Sequence, residues 1–554
     1  MPQDRVKVIP LGGVGEIGKN LAVVETTDDL IVVDSGVQFP GEELLGVDLV
    51  IPDVTYLKEN RQKLRGIFIT HGHEDHVGGL PYVIPQLGEP PIPIYATRLT
   101  HGLIEVKMRE HRLTEAYQQL VVQPGDCLPI GASLTVEPFR VTHSIPDCVG
   151  FGITTPAGLI VFTGDFKFDY TPVDGRLSDF GKLAEFGERG VLALFCDSTR
   201  VESPGFTPSE RTLDSSFDKI FSTAQGRIIV TTFASNISRV QQILDTAYRF
   251  NRRVGLVGRS LESNASVARE LGYLEPPEAT LFRADEVNRL PMHDAVFITT
   301  GSQGEPTSAL TRIANNDHRF IKLTVGDTVV LSGTPVPGNE IAVDRTINNL
   351  FKRGAEVVYN ALMRVHVSGH GAQEELKLML SLIRPRFLVP VHGEPRQQIL
   401  FRRIAYDFGL TDGDILIIEN GDAVELEPGR AWIGNKVTAG RVLVDGLTVG
   451  DVGHVVLRDR RHLAQDGLLM VSLVVDKETG HPLAVPEIVQ RGFLHEPEQL
   501  LERARNVVME ALDGGPNVTA EHGLLNQKIR ASLGKFVYES TRRRPMILPV
   551  VTEV

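Results

Sequence analysis

Cysteine is scarce in this chain: there are 3 in 554 residues, Cys127, Cys148 and Cys196, and none forms a CxxC pair. That excludes a disulfide scaffold and a thiolate zinc ribbon, and an odd count without pairing logic fits a reducing cytosol. No apolar run approaches the roughly 20 residues that span a bilayer. The start, Met1-Pro2-Gln3-Asp4-Arg5-Val6, lacks the charged and apolar regions of a secretion signal. A soluble, cytoplasmic protein with no membrane partner is therefore expected. Aromatic residues make up 6%, too few for a broad base-stacking platform. Basic residues are also in deficit: 57 Lys and Arg stand against 70 Asp and Glu, a net charge of −13. This argues against a protein that coats nucleic acid through bulk positive charge, although bound metal ions and a local basic channel can oppose the global sign.

What is present points to a globular α/β protein. Hydrophobic residues reach 42%, and glycine and proline recur throughout. At roughly 100–200 residues per domain, the length predicts about three domains. Strands are expected at Val6–Leu11, Leu21–Glu25, Leu30–Asp34, Gly66–Thr70, Ile92–Ala96, Ser133–Phe139 and Leu159–Gly164, with a helix around Thr100–Arg109. From Ser209 to about Gly354 helices and strands alternate, as at Glu210–Phe221, Gly226–Thr232, Ile237–Phe250 and Arg253–Val257, which predicts a parallel sheet. Short strands return at Phe387–Pro390 and Ile415–Ile418, and Ala431–Gly450 reads as a linker. The end reads as a small α/β unit. It has strands at Leu468–Val475 and Met546–Val551 and helices at Glu496–Leu512 and Ala520–Lys535, the last capped by Thr519.

Gly13-Val14-Gly15-Glu16-Ile17-Gly18 matches GxGxxG, and Asp34 lies near the offset of a ribose-binding acid. The dinucleotide motif must open a helix, however, and here Asn20–Glu25 and Leu30–Asp34 form a hairpin. The glycines instead allow a tight loop with close backbone approach.

The strongest signal is Thr70-His71-Gly72-His73-Glu74-Asp75-His76, directly after an apolar strand. His71 and His73 alternate, so extended backbone points both to one side, while Asp75 and His76 follow the turn and face a second ion. Neutral imidazoles packed this closely all need hydrogen-bond partners that burial alone does not supply. Such clusters read as metal or catalytic sites.

His71–His76 resembles the HxHxDH signature of the metallo-β-lactamase superfamily. Asp34, His143 and Asp165, each at a predicted strand end, match its remaining motifs in order. The resemblance implies that His71, His73 and His143 hold one ion, that Asp75 and His76 hold another, that Asp165 bridges, and that Asp34 orients ligands from behind. Nitrogen and oxygen ligands suit two divalent ions, Zn²⁺ and/or Mn²⁺.

The long α/β insertion is similar to that of the β-CASP nucleases, whose three motifs fall at Asp197, His366 and His392. By that resemblance His392 completes the second ion's ligands, His366 contacts the scissile phosphate, and Asp197 orients one of these histidines. Thr300–Pro306, Ser332–Thr334 and His366–Gly371 further resemble the ribonuclease J family. The implied organisation is an αββα metallo-β-lactamase sandwich over 1–205 and 359–435, an inserted α/β β-CASP domain at 206–358, a linker at 436–458, and an α/β C-terminal domain at 459–554. The implied activity is metal-dependent hydrolysis of single-stranded RNA from a 5′-monophosphate, 5′→3′, with some internal cutting, by a homodimer joined through the C-terminal region. Catalysis would involve Asp75, Asp165, Asp197 and His366.

Ser368, Gly369 and His370 offer a hydroxyl, a backbone N–H and an imidazole to a terminal phosphate. Phe233, Ser235 and Asn236 offer a further phosphate contact, or alternatively an ordinary helix cap. Arg458, Arg460 and Arg461, and Arg542–Arg544, read as solvated surface or an oligomer contact rather than RNA contacts. A DNA-directed β-CASP nuclease, a non-catalytic RNA-binding scaffold and a small-molecule lactonase or thioesterase are the alternatives.

Overall fold

The alternating apolar residues of the first two hundred positions, joined by strands from 387–433, build two sheets that share one core. The computed structural model describes residues 4–41, 43–336, 338–446, 448–476, 481–494, 498–513 and 522–554. The chain divides into two units, residues 1–39 with 49–442 and residues 40–48 with 443–554.

In the larger unit, one sheet of eight strands runs in the order Arg430–Ile433, Val424–Glu427, Val6–Gly12, Leu21–Glu25, Leu30–Val33, Leu64–Phe68, Ile92–Ala96, Tyr117–Val121. A second, of six strands, runs Phe387–Val391, Val191–Asp197, Gly158–Phe162, Val149–Thr155, Leu134–Arg140, Leu128–Ile130. Val8, Val24, Ile31 and Phe68 of the first meet Phe151, Ile160, Phe195 and Val389 of the second in one buried cluster. Helices Leu80–Leu87 and Arg98–Glu110 cover the outer face of the first sheet. Helices Phe180–Arg189, Gln373–Ile383 and Pro395–Tyr406 cover that of the second. This is the expected αββα sandwich.

The insertion forms a six-stranded parallel sheet, ordered Leu281–Phe282, Arg253–Val257, Ala295–Thr299, Ile228–Thr231, Thr328–Leu331, Glu356–Val358. The sandwich resumes at Phe387–Val391, which pairs in parallel with Val191–Asp197, Asp197 opposite Val391. The strand before the insertion and the strand after it are thus neighbours, and their ends lie side by side.

Three expectations differ in detail. Glu210–Phe221 is a 3-10 turn at Glu210–Leu213 followed by a helix at Asp214–Thr223. Ile415–Ile418 makes only an isolated bridge, from Ile415 to Leu388. The stretch read as a linker carries strands Arg441–Asp445 and Thr448–Val449 and the start of helix His454–Asp466.

In the smaller unit the strands Glu487–Arg491, Leu468–Val475 and Met546–Glu553 form a sheet. Its buried residues Leu469, Val471 and Leu473 pack with Val508, Ile529 and Leu533 of two helices. Thr519, expected as a helix cap, lies outside the described residues. Among the described residues no helix is long and apolar enough to cross a membrane.

Candidate metal centre

Strand ends deliver nearly every predicted ligand to one edge of the sandwich. His71 and His73 follow Leu64–Phe68, and Asp75 and His76 occupy the first turn of helix Glu74–Val77. His143, Asp165 and His392 follow strands Leu134–Arg140, Gly158–Phe162 and Phe387–Val391, and Asp197 ends its own strand. This is the carboxyl edge of a sheet, where open α/β folds place their ligands.

Among the described residues the side chains form four overlapping groups; two of them, His71, His73 and His143, and Asp75, His76, Asp165 and His392, share no residue, while His370 joins His143 with Asp165 and His392 with Asp197. In the first, His73 Nδ1 stands 3.0 Å from His71 Nε2 and 3.2 Å from His143 Nε2. The remaining ring nitrogen of His143 donates to the Gly369 carbonyl at 2.7 Å, and Thr70 Oγ1 lies 3.0 Å from His71 Nδ1. Three imidazole nitrogens facing one another cannot all be satisfied by mutual hydrogen bonds. Their spacing suits ligands about 2.1 Å from one tetrahedral ion, which are about 3.4 Å apart. In the second group, Asp165 Oδ2 lies 3.2 Å from His76 Nε2 and 3.7 Å from His392 Nε2. The same oxygen is 3.8 Å from both His71 Nε2 and His143 Nε2, so a single carboxylate oxygen reaches both groups. The donor set therefore fits two divalent ions.

Outer partners fix the rings. Asp34 Oδ2 takes His76 Nδ1 at 2.8 Å, while its other oxygen accepts the Thr70 backbone N–H at 2.8 Å. Thr199 Oγ1 meets His392 Nδ1 at 2.8 Å and donates to Asp197 Oδ1 at 2.6 Å. Asn20 Nδ2 donates to the Asp75 carbonyl at 3.0 Å. Sequence reasoning missed Asn20, Thr70 and Thr199. Thr70 and Thr199 adjoin recognised motifs, but nothing in the sequence marks Asn20.

The two groups differ electrostatically. Burial holds His71 and His143 well below the ordinary histidine range, with neighbouring histidines adding to the effect. Burial likewise takes His73 down to about 4. Burial is also the largest influence on His76 and His392, but the surrounding carboxylates together outweigh it. Asp165, Asp34 and Asp75 carry His76 well above the usual range, and Asp165, Asp75 and Asp197 push His392 up to about 9. Burial opposes ionisation of Asp165, yet His392, His76 and His370 hold it well below the carboxylate range.

The structure separates two histidines that the sequence pairs. His370 Nδ1 is 2.7 Å from Asp197 Oδ2, and its ring stands beside those of His143 and His392. His366, expected at the scissile phosphate, is in neither ion group. It sits by a buried ionic network: Arg239 donates to Glu210 at 2.5 Å and to the Val365 carbonyl at 3.0 Å, and Lys167 lies 3.6 Å from Glu210. Burial, then Arg239, pushes the His366 imidazole down to about 3. Asp197 therefore orients His370 directly and His392 through Thr199. Ser368 Oγ accepts the His370 backbone N–H at 3.1 Å. Asn236 Oδ1 accepts the Arg239 backbone N–H at 3.0 Å and so caps helix Ile237–Arg249. Phe233 and Ser235 precede that helix and are half-buried.

Comparison with known proteins gives a consistent result. The model of the ribonuclease J β-CASP domain matches residues 225–350, and that of the ribonuclease J C-terminal domain residues 455–554. The metallo-β-lactamase superfamily model matches 14–222, and the Zn-dependent metallo-hydrolase RNA specificity domain 355–410. Ribonuclease J2 of Bacillus subtilis (strain 168) is 43% identical over 557 residues, spanning 100% of this chain and 99% of the relative. Ribonuclease J of Thermus thermophilus is 44% identical over 555 residues, spanning 100% and 96%. A solved structure of a protein of unknown function from Enterococcus faecalis V583 shares the fold, with a TM-score of 0.54 at 18% identity, covering 76% of this chain and 100% of that one.

Proposed function

The chain belongs to the ribonuclease J family and is a metal-dependent ribonuclease; from that premise we propose that it degrades single-stranded RNA 5′→3′ from a 5′-monophosphate, with some internal cutting. Two divalent ions, Zn²⁺ and/or Mn²⁺, are assigned to the two ligand groups. The observation that carries the assignment is the position of Asp165 Oδ2, 3.2–3.8 Å from four imidazole nitrogens of both groups.

Divalent cations held there supply positive charge that activates water and neutralises the transferring phosphate. The chain's own residues do the rest. Asp34 and Thr199 fix which nitrogen of His76 and His392 faces inward. Asp197 aligns His370, whose Nε2 lies 4.0 Å from Asp165 Oδ2, and we give His370 the proton of the leaving oxygen. His366 stays neutral in its buried setting, and we assign it, with Ser368 and Gly369, to the wall that receives the 5′-phosphate. Phe233 and Ser235 extend that wall, while the Asn236 side-chain oxygen is committed to the helix start.

We also infer a cytoplasmic location, in keeping with three free thiols, and a homodimer formed through residues 459–554. The division into 1–205, 206–358, 359–435 and 459–554 is supported by the inserted parallel sheet. Matched RNA and DNA strands test the substrate, because only RNA offers the 2′-hydroxyl. The expected outcome is cleavage of RNA alone and its loss in Asp165→Ala. Equal cleavage of DNA, or undiminished activity of the variant, contradicts the reading.

A further inference from the structure

The glycine-rich segment Gly13–Gly18 opens no helix; it turns back and lies against the ligand loops of the second ion group. His392 donates its backbone N–H to the Gly13 carbonyl at 2.8 Å. Val14 and Glu16 both bridge Gly393. At the other end of the loop, the Asn20 backbone N–H and its side-chain amide both donate to the Asp75 carbonyl at 3.0 Å. One short segment therefore grips the backbone at Asp75 and at His392, two ligands far apart in sequence. His392 needs such a hold, because its φ of 50° lies in the left-handed region, which is unfavourable for a residue with a side chain.

The loop is itself stapled. The Glu16 carboxylate is buried and accepts from Lys19 Nζ, from Asn420 Nδ2 at 2.6 Å and from the Gly13 backbone N–H at 3.4 Å. Asn420 Oδ1 accepts the Val14 N–H at 3.1 Å, and Lys19 is only 1% exposed. Gly13 has a φ of 84°, and a Cβ there would lie 2.1 Å from Asn20 Oδ1. The His71–His73–His143 group has no comparable contact with this loop among the described residues.

We propose that Glu16 and Lys19 are positioning residues: by stapling the Gly13–Asn20 loop they set the cation affinity of the Asp75–His76–Asp165–His392 group while leaving the three-histidine group unaffected. The proposal rests on the two-ion reading above. Outer partners of metal ligands are typically worth about 10–100-fold in affinity, and the same range is expected here.

The test titrates Mn²⁺ alone into full-length, chelator-treated protein by calorimetry. It compares wild type, the double variant Glu16→Ala/Lys19→Met, which leaves no buried charge unpaired, and the rescue pair Glu16→Gln/Lys19→Met, which keeps an acceptor for Asn420 and the Gly13 N–H without stranding a buried ammonium. The expected result is two binding events in wild type. The double variant should show an unchanged tighter or weaker event assignable to the three histidines by its loss in His143→Ala, and a second event weakened about 10–100-fold. Glu16→Gln/Lys19→Met should recover most of that loss. A double variant that binds both ions as wild type does, or loses both equally, overturns the clamp. A wild type holding fewer than two ions overturns the two-ion reading and the clamp with it.

Discussion

Loading the two ion groups should release protons unequally. A metal ligand must be deprotonated, so ion binding displaces any proton already there. In the metal-free protein His71 and His143 lie well below the ordinary range and His73 near 4. At pH 7 this group is neutral and releases essentially no protons. His392 is pushed up to about 9, so at pH 7 it is about 99% protonated. His76 is raised well above its ordinary value by Asp165, Asp34 and Asp75, which together outweigh burial. Ion entry into the second group therefore displaces protons, that of His392 among them. The affinity of that group should rise with pH around neutrality, by about one decade per unit from His392 alone, whereas the three-histidine group stays flat. Calorimetric titration with Mn²⁺ in buffers of different ionisation enthalpy measures both quantities. Equal proton release at the two groups, or none at the second, would refute the electrostatic contrast.

Asp197→Asn keeps the size of the side chain but removes the charge that meets His370 at 2.7 Å. A hydrogen bond to a charged group is worth roughly 1.5–3 kcal/mol, so kcat should fall about 10–150-fold with KM little changed in steady-state RNA turnover. Glu210→Leu leaves Arg239 and Lys167 buried without this carboxylate. A broken buried pair costs about 3–5 kcal/mol, and a lowered thermal midpoint should be largely restored by adding Arg239→Met; a midpoint unchanged by Glu210→Leu would remove the network from the account.

The clustered histidines and carboxylates were legible because four of them crowd into His71–His76 and the others close predicted strands. The sequence reading put His366 at the scissile phosphate and His370 in the 5′-phosphate pocket, whereas the histidine beside Asp197 is His370. Four residues of extended chain span about 13 Å, so only one of the two can sit at Asp197, and the choice depends on how the segment enters the site. Val365 settles it by bonding its carbonyl to Arg239 and Ser332, which anchors His366 on the side of the inserted domain. The strand Val149–Thr155 escaped notice because Gly150 and Gly152 weaken its pattern. Both are required by packing, since a Cβ would lie 2.3 Å from the Phe139 ring and 2.5 Å from Phe186. The role of the Gly13–Gly18 loop was equally hidden, because its partner Gly393 lies beyond the insertion. The strand-rich start, the parallel sheet of the insertion and the α/β C-terminal unit followed from periodicity, whereas the sandwich was implied by the family resemblance; the strands within 436–458 are too short and too exposed to show a pattern.

The proposed attack on RNA starts at its 5′ end and proceeds at a two-ion centre. A single-stranded RNA labelled on its 5′-monophosphate, incubated with the purified protein and Mn²⁺, tests it most directly. Labelled mononucleotide is expected as the first product, at the earliest times. Longer labelled fragments accumulating first would contradict it and would make internal cutting the dominant activity.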